Sequence, residues 1–196
     1  PKNIEKLIIY GSAFYECKQF EYLDLSSCEK LETLYICNDA FYNSAIKSVI
    51  LPKNIKKLLI YEDAFARCEQ FEYLDLSSYE KLEYLYIGRK AFESSAIRSI
   101  TIPKNLKNLI IDKCAFAFCH ALTNFDLSLL DNLEVFHIIN DTFAMSAISS
   151  ITIPESITKL NLGIESFPYN CTVRVPERFK KQLSTLQNPK YKIEYY

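Results

Sequence analysis

One string of this chain is written three times. AFYECKQFEYLDLS at 13–26 returns as AFARCEQFEYLDLS at 64–77 and, more loosely, as AFAFCHALTNFDLS at 115–128, a step of 51 residues each time. Pro1, Pro52, Pro103 and Pro154 keep the same step, as do Phe14, Phe65, Phe116 and Phe167. A fixed period of this length restricts the chain to a stack of like units, because one unit is too small to bury a core and must share it with its neighbours.

The long period divides in two. Strings such as LDL, VIL and TI place their last apolar residue at Leu25, Leu51, Leu76, Ile102, Leu127 and Ile153, with steps that alternate between 26 and 25. One coil is therefore 25–26 residues, and neighbouring coils belong to two alternating types. Each coil carries two short alternating segments. The first is exemplified by Leu23 and Leu25, the second by Leu34 and Ile36, with a variable residue between the apolar pair. Alternation of period two marks a half-buried strand. About seven stacked coils then give two parallel sheets over one core. Between the two segments stands a phenylalanine: Phe14, Phe41, Phe65, Phe92, Phe116, Phe143 and Phe167. At equivalent corners these rings form a spine, and losing one buried ring costs about 3–5 kcal/mol against ~0–1 for an exposed ion pair.

Composition narrows the function. The net charge of −1 argues against a bulk electrostatic nucleic-acid binder. Only three glycines are present, against 14 tyrosines and 13 phenylalanines, so glycine-rich phosphate loops are not expected. No apolar run reaches the length of a membrane-spanning helix. PKNIEKLIIY opens the chain in mid-repeat, since it matches PKNIKKLLIY at 52–61, and a truncated array is expected.

The pattern A-F-x-x-C-x-x-L-x-x-L/I-x-L/I-P, clearest in SITIPKNLKNLIIDKCAFAFC at 99–119, resembles the BspA-like class of leucine-rich repeats. The likeness runs over residues 1–175. It departs where the class often has glycine after the second strand, since Tyr10, Cys37, Tyr61, Asp112 and Ile139 stand there instead. The asparagine ladder of ordinary leucine-rich repeats is absent. The expected organisation is a solenoid over 1–175 followed by a cap over 176–196, in which Phe179, Leu183 and Leu186 keep helical spacing, Asn188-Pro189 ends the helix and YKIEYY forms a last strand.

Catalytic signatures do not occur. Cys17, Cys68 and Cys119 recur two coils apart, with Ser44, Ser95 and Ser146 between them. At ~4.8 Å per coil such thiols are beyond disulfide reach, so they read as corner fillers. His120 and His137 lie on different faces. No enzyme activity, cofactor, metal or disulfide is expected.

Function then rests on outward residues. On the first sheet one column reads Glu21, Lys47, Glu72, Arg98 and favours the stack by alternating charge. Beside it, Tyr22, Tyr73, Asp24, Asp75 and Asp126 are candidate partner-binding residues. On the second sheet Ile8, Tyr35, Leu59, Tyr86 and Ile110 form an apolar column. It reads either as cross-strand packing covered by long neighbours such as Glu32, Lys56, Glu83 and Lys107 or as a partner-binding stripe made by Tyr35, Leu59, Tyr86 and Ile110. The family resemblance implies a cell-surface or secreted adhesin with a protein ligand from host matrix or cell surfaces. A ligand-free spacer and an intracellular scaffold remain the alternatives. The fragment is expected to be monomeric, with no nucleic-acid partner and no membrane insertion.

Overall fold

The computed structural model describes residues 3–186 and 189–196. Pro1 and Asn188, two positions the sequence reading used, lie outside the described residues. Every coil contributes one strand to each side of the stack. On one side are β1 (Lys6–Ile9), β3 (Thr33–Ile36), β5 (Lys57–Ile60), β7 (Tyr84–Ile87), β9 (Asn108–Ile111), β11 (Val135–Ile138) and β13 (Lys159–Leu162). On the other are β2 (Tyr22–Asp24), β4 (Ser48–Ile50), β6 (Tyr73–Asp75), β8 (Ser99–Thr101), β10 (Asn124–Phe125), β12 (Ser150–Thr152), β14 (Thr172–Val175) and β15 (Lys192–Tyr195).

The odd-numbered strands from β1 to β13 form a single seven-stranded parallel sheet in strict register. Leu7 pairs with Leu34, Leu34 with Leu58, Leu58 with Leu85 and so on to Leu160. This in-phase pairing follows from the alternation, since a slip of one residue would turn each leucine outward. The opposite side is also parallel, but its ladder comes in three pieces: β2 with β4, β6 through β8 to β10, and β12 through β14 to β15. Between β4 and β6 the reason is a side chain. The Leu51 N–H donates to the Tyr79 hydroxyl oxygen at 3.0 Å instead of to a carbonyl of the next coil.

The phenylalanine spine stacks as expected, with ring centroids 5.0–5.6 Å apart from Phe14 through to Phe167. Beside it runs a third line of backbone bonds. The N–H groups of Asp63, Phe65 and Arg67 donate to Arg89, Ala91 and Glu93 of the next coil, and most coils repeat the pattern. This geometry needs left-handed backbone at two residues per corner. Among the described residues twelve that are not glycine adopt it, with φ from 50° to 61°, and no glycine does. Gly88 serves a different need, since a Cβ there would lie 2.9 Å from the Tyr61 carbonyl carbon.

Two asparagines tie neighbouring coils together outside the core. Asn54 donates to the Glu29 carbonyl oxygen at 2.7 Å and Asn105 to the Glu80 carbonyl oxygen at 3.1 Å.

At the C-terminal end, a 3-10 turn (Glu177–Phe179) and helix α1 (Lys180–Leu183) bury Phe179 and Leu183, and β15 pairs with β14. The helix is shorter than the spacing to Leu186 suggested. Ser184 and Thr185 hydroxyls donate back to the Lys181 and Gln182 carbonyls, a competing bond that favours helix ends. Tyr191 meets Phe167 edge-on at 5.0 Å, and its hydroxyl donates to the Gly163 carbonyl oxygen, so the last ring of the spine is covered.

Candidate functional site

The face made by β2, β4, β6 and β8 presents columns of outward side chains on a fixed backbone. Lys47 pairs with Glu21 at 2.6 Å and Arg98 with Glu72 at 3.1 Å. Each pair sits within its own ladder piece, and among the described residues no ion pair spans β4 to β6. Next to them Tyr22 and Tyr73 stand 58% and 57% exposed, each opposite a serine, Ser48 or Ser99, on the neighbouring strand. A serine is too small to cover a ring. Tyr22 also has the Lys47 ammonium 5.7 Å from its centroid.

The aspartates of this face carry a structural duty. Oδ1 of Asp24, Asp75 and Asp126 accepts the N–H of the serine two residues on, at 2.8, 3.0 and 2.8 Å. Each fixes the turn that leaves the strand, and the Ser26 bond holds the Asp24 carboxyl below its usual range. The signal was present in the repeated Asp-Leu-Ser. The second carboxylate oxygen of each residue is not used in this bond.

The apolar column of the seven-stranded sheet is half-buried throughout. Ile8, Tyr35, Leu59, Tyr86 and Ile110 are all of intermediate exposure. Tyr61 lies between two of its members, 6.4 Å from the Tyr35 ring and 5.7 Å from that of Tyr86. The Tyr86 hydroxyl donates to Asp112 at 3.1 Å, and burial with the nearby carboxylate pushes it up to about 12. Lys56 with Glu32 and Lys107 with Glu83 close over the edge. Tyr61 and Asp112 thus occupy the two tyrosines of the column with the protein's own side chains.

Sequence reasoning missed a third surface. The residue two after each spine phenylalanine runs Glu16, Asn43, Arg67, Ser94, Phe118, Met145, Tyr169. Its last three members are 47%, 62% and 79% exposed, an apolar edge on the final coils. The change from polar to apolar along that column was a signal available in the sequence.

The thiols behave as corner fillers with added bonds. Cys68 and Cys119 are buried, donate to the Phe41 and Phe92 carbonyl oxygens at 3.0 Å and approach Ser44 and Ser95 at 3.7 Å. Burial pushes the Cys119 thiol up to about 11, which keeps it protonated and unreactive at neutral pH. All seven cysteines are free. Among the described residues no group of three potential ligands could hold a metal ion, and no helix is long and apolar enough to cross a membrane.

In-phase parallel strands, a stacked phenylalanine spine and a recurrent Cys/Ser corner define a solenoid of leucine-rich-repeat type. The BspA type leucine rich repeat region matches this chain in six copies, over residues 1–122 and 34–174, and the chain belongs to that family. Solved structures of low identity also match the chain. A leucine-rich repeat protein from Bacteroides ovatus is 18% identical, with a TM-score of 0.43, over 96% of this chain and 55% of its own. A leucine rich cell surface protein from Faecalibacterium prausnitzii is 14% identical, with a TM-score of 0.39, over 94% and 62%. The pneumococcal vaccine antigen PcpA is 13% identical, with a TM-score of 0.28, over 100% and 78%. The chain thus spans a little over half of the first two. No curated protein matches it.

Proposed function

We propose that this chain is a non-catalytic protein-recognition module of a cell-surface or secreted adhesin, and that its partner lies on the face carrying Tyr22, Asp24, Tyr73, Asp75 and Asp126. The observation that carries this reading is the pair of tyrosines, more than half exposed and repeated 51 residues apart. Two coils separate them, roughly 10 Å. Tyrosine supplies large contact area at small entropic cost, which suits it to anchor an interface. The hydrogen-bonded ladder beneath each ring removes further cost of ordering on binding. The column through Tyr35, Leu59, Tyr86 and Ile110 is the weaker candidate, because its rings already pack on Tyr61. Burial of Cys68, Cys119 and Cys171 suits an oxidising exterior, since a shielded thiol resists oxidation.

Binding of the chain to immobilised extracellular-matrix proteins and to intact cells tests the proposal. Saturable binding is expected, lost in Tyr73→Glu/Asp75→Lys and retained in Tyr35→Glu/Tyr86→Glu. Loss only in the second variant would move the site to the other sheet. No binding by the folded chain would favour a ligand-free spacer.

A further inference from the structure

We propose that the hollow beside β8 and β10 is a socket for a tyrosine side chain of a partner protein; this rests on the recognition function above and names the chemistry of one contact. The hollow has a volume of about 660 Å3, and its walls include Ile102, Lys104, Asn124, Leu129 and Leu130. The repeat shows what belongs in it, because residues 51 positions apart occupy equivalent places. One double coil earlier the corresponding residues are Leu51, Lys53, Tyr73, Ser78 and Tyr79.

There the protein fills the space itself. The Tyr79 ring is buried, its oxygen accepts the Leu51 N–H at 3.0 Å, and the Lys53 ammonium lies 5.2 Å from its centroid. In the later double coil Asn124 replaces Tyr73 and Leu130 replaces Tyr79. The buried ring of Tyr79 has no equivalent there, and the hollow opens. Two groups lose their counterparts, and a third, apolar one is new. The Ile102 N–H finds no acceptor among the described residues, although Ile102 is buried. The Lys104 ammonium makes no ion pair and lies over no ring among the described residues, unlike Lys53. Leu129, where the earlier coil has Ser78, is 67% exposed at the rim.

An incoming phenol answers all three. Its ring packs on Leu129 and Leu130, its face meets the Lys104 ammonium, and its oxygen accepts the Ile102 N–H. The buried Tyr79 supplies the template for the N–H and ammonium contacts. A partner tyrosine held this way would sit on the same face as Tyr73 and next to Asp126, which also lines the hollow.

The test is a titration of the whole chain with N-acetyl-L-tyrosinamide, followed by amide NMR. Saturable shifts confined to Ile102, Asn124, Leu129 and their neighbours are expected. N-acetyl-L-phenylalaninamide, without the accepting oxygen, binds about fivefold more weakly. Lys104→Gln weakens the tyrosinamide about threefold, the worth of an exposed cation–π contact. Leu130→Tyr installs the ring of the earlier coil and abolishes the saturable shifts; should it fail to fold, Leu129→Ser, the residue of the earlier coil, removes the apolar rim and weakens the tyrosinamide, and an unchanged affinity there would overturn the proposal. Shifts that never saturate, or binding that survives the filled hollow, would overturn the proposal. Either result concerns this hollow alone, so binding through Tyr22 and Tyr73 in the matrix assay stands or falls separately.

Discussion

Down one corner of the stack a thiol and a hydroxyl alternate, and the contact between them shows where the repeat runs out. Ser44 meets Cys68 and Ser95 meets Cys119, each across one coil. Ser146 is next in line, but its counterpart is Asn170 rather than cysteine, and its buried hydroxyl has no partner. A buried polar atom left alone costs about 1–3 kcal/mol. Ser146→Ala is therefore expected to leave stability unchanged or raise it by up to about 1 kcal/mol, whereas Ser95→Ala lowers it by about 0.5–1 kcal/mol. Denaturant unfolding of the two variants checks this, and shifts in the same direction would show that the thiol contact contributes nothing.

At the scale of the element, the even-numbered strands show how one side chain can divide a sheet. The Tyr79 oxygen takes the Leu51 N–H, and β4 and β6 remain unpaired. Tyr79→Phe removes the acceptor while keeping the ring. The Leu51 amide should then exchange faster, and the protein should lose about 1–3 kcal/mol. Unchanged exchange and stability would mean that β4 and β6 can pair once the hydroxyl is gone. The strands themselves were legible, since Leu-x-Leu and Leu-x-Ile alternation states both spacing and face. The break between β4 and β6 was not, because it depends on what stands at the position of Tyr79, which the pattern treats as variable. The third ladder was hidden for a related reason. Left-handed residues are usually announced by glycine, and here Ser12, Arg67, Phe118 and others take that conformation unannounced, at roughly 1 kcal/mol or more each. Their N–H bonds to the next coil offset that cost. At the candidate site the sequence told which residues face outward. It did not tell that Tyr61 packs on the rings of one column, or that serines leave Tyr22 and Tyr73 bare.

Across the whole molecule, stability and surface have separate owners. The spine and the in-phase apolar pairs hold the coils together, while the ion pairs lie in water and each contributes at most about 1 kcal/mol. The outward residues are thereby free to vary: Asn124 stands where β6 has Tyr73, and β10 still pairs with β8 in the register that β6 keeps with β8. A repeat array also passes local damage along, since each coil is completed by its neighbours. The central claim is that one continuous aromatic core carries the stack, and equilibrium unfolding of Phe92→Ala beside Glu72→Ala tests it most directly. Phe92 is fully buried between Phe65 and Phe116, whereas Glu72 pairs with Arg98 at the surface. The account predicts a loss of about 3–5 kcal/mol for Phe92→Ala, spread over the whole transition, and less than about 1 kcal/mol for Glu72→Ala. Comparable losses in the two variants would contradict it.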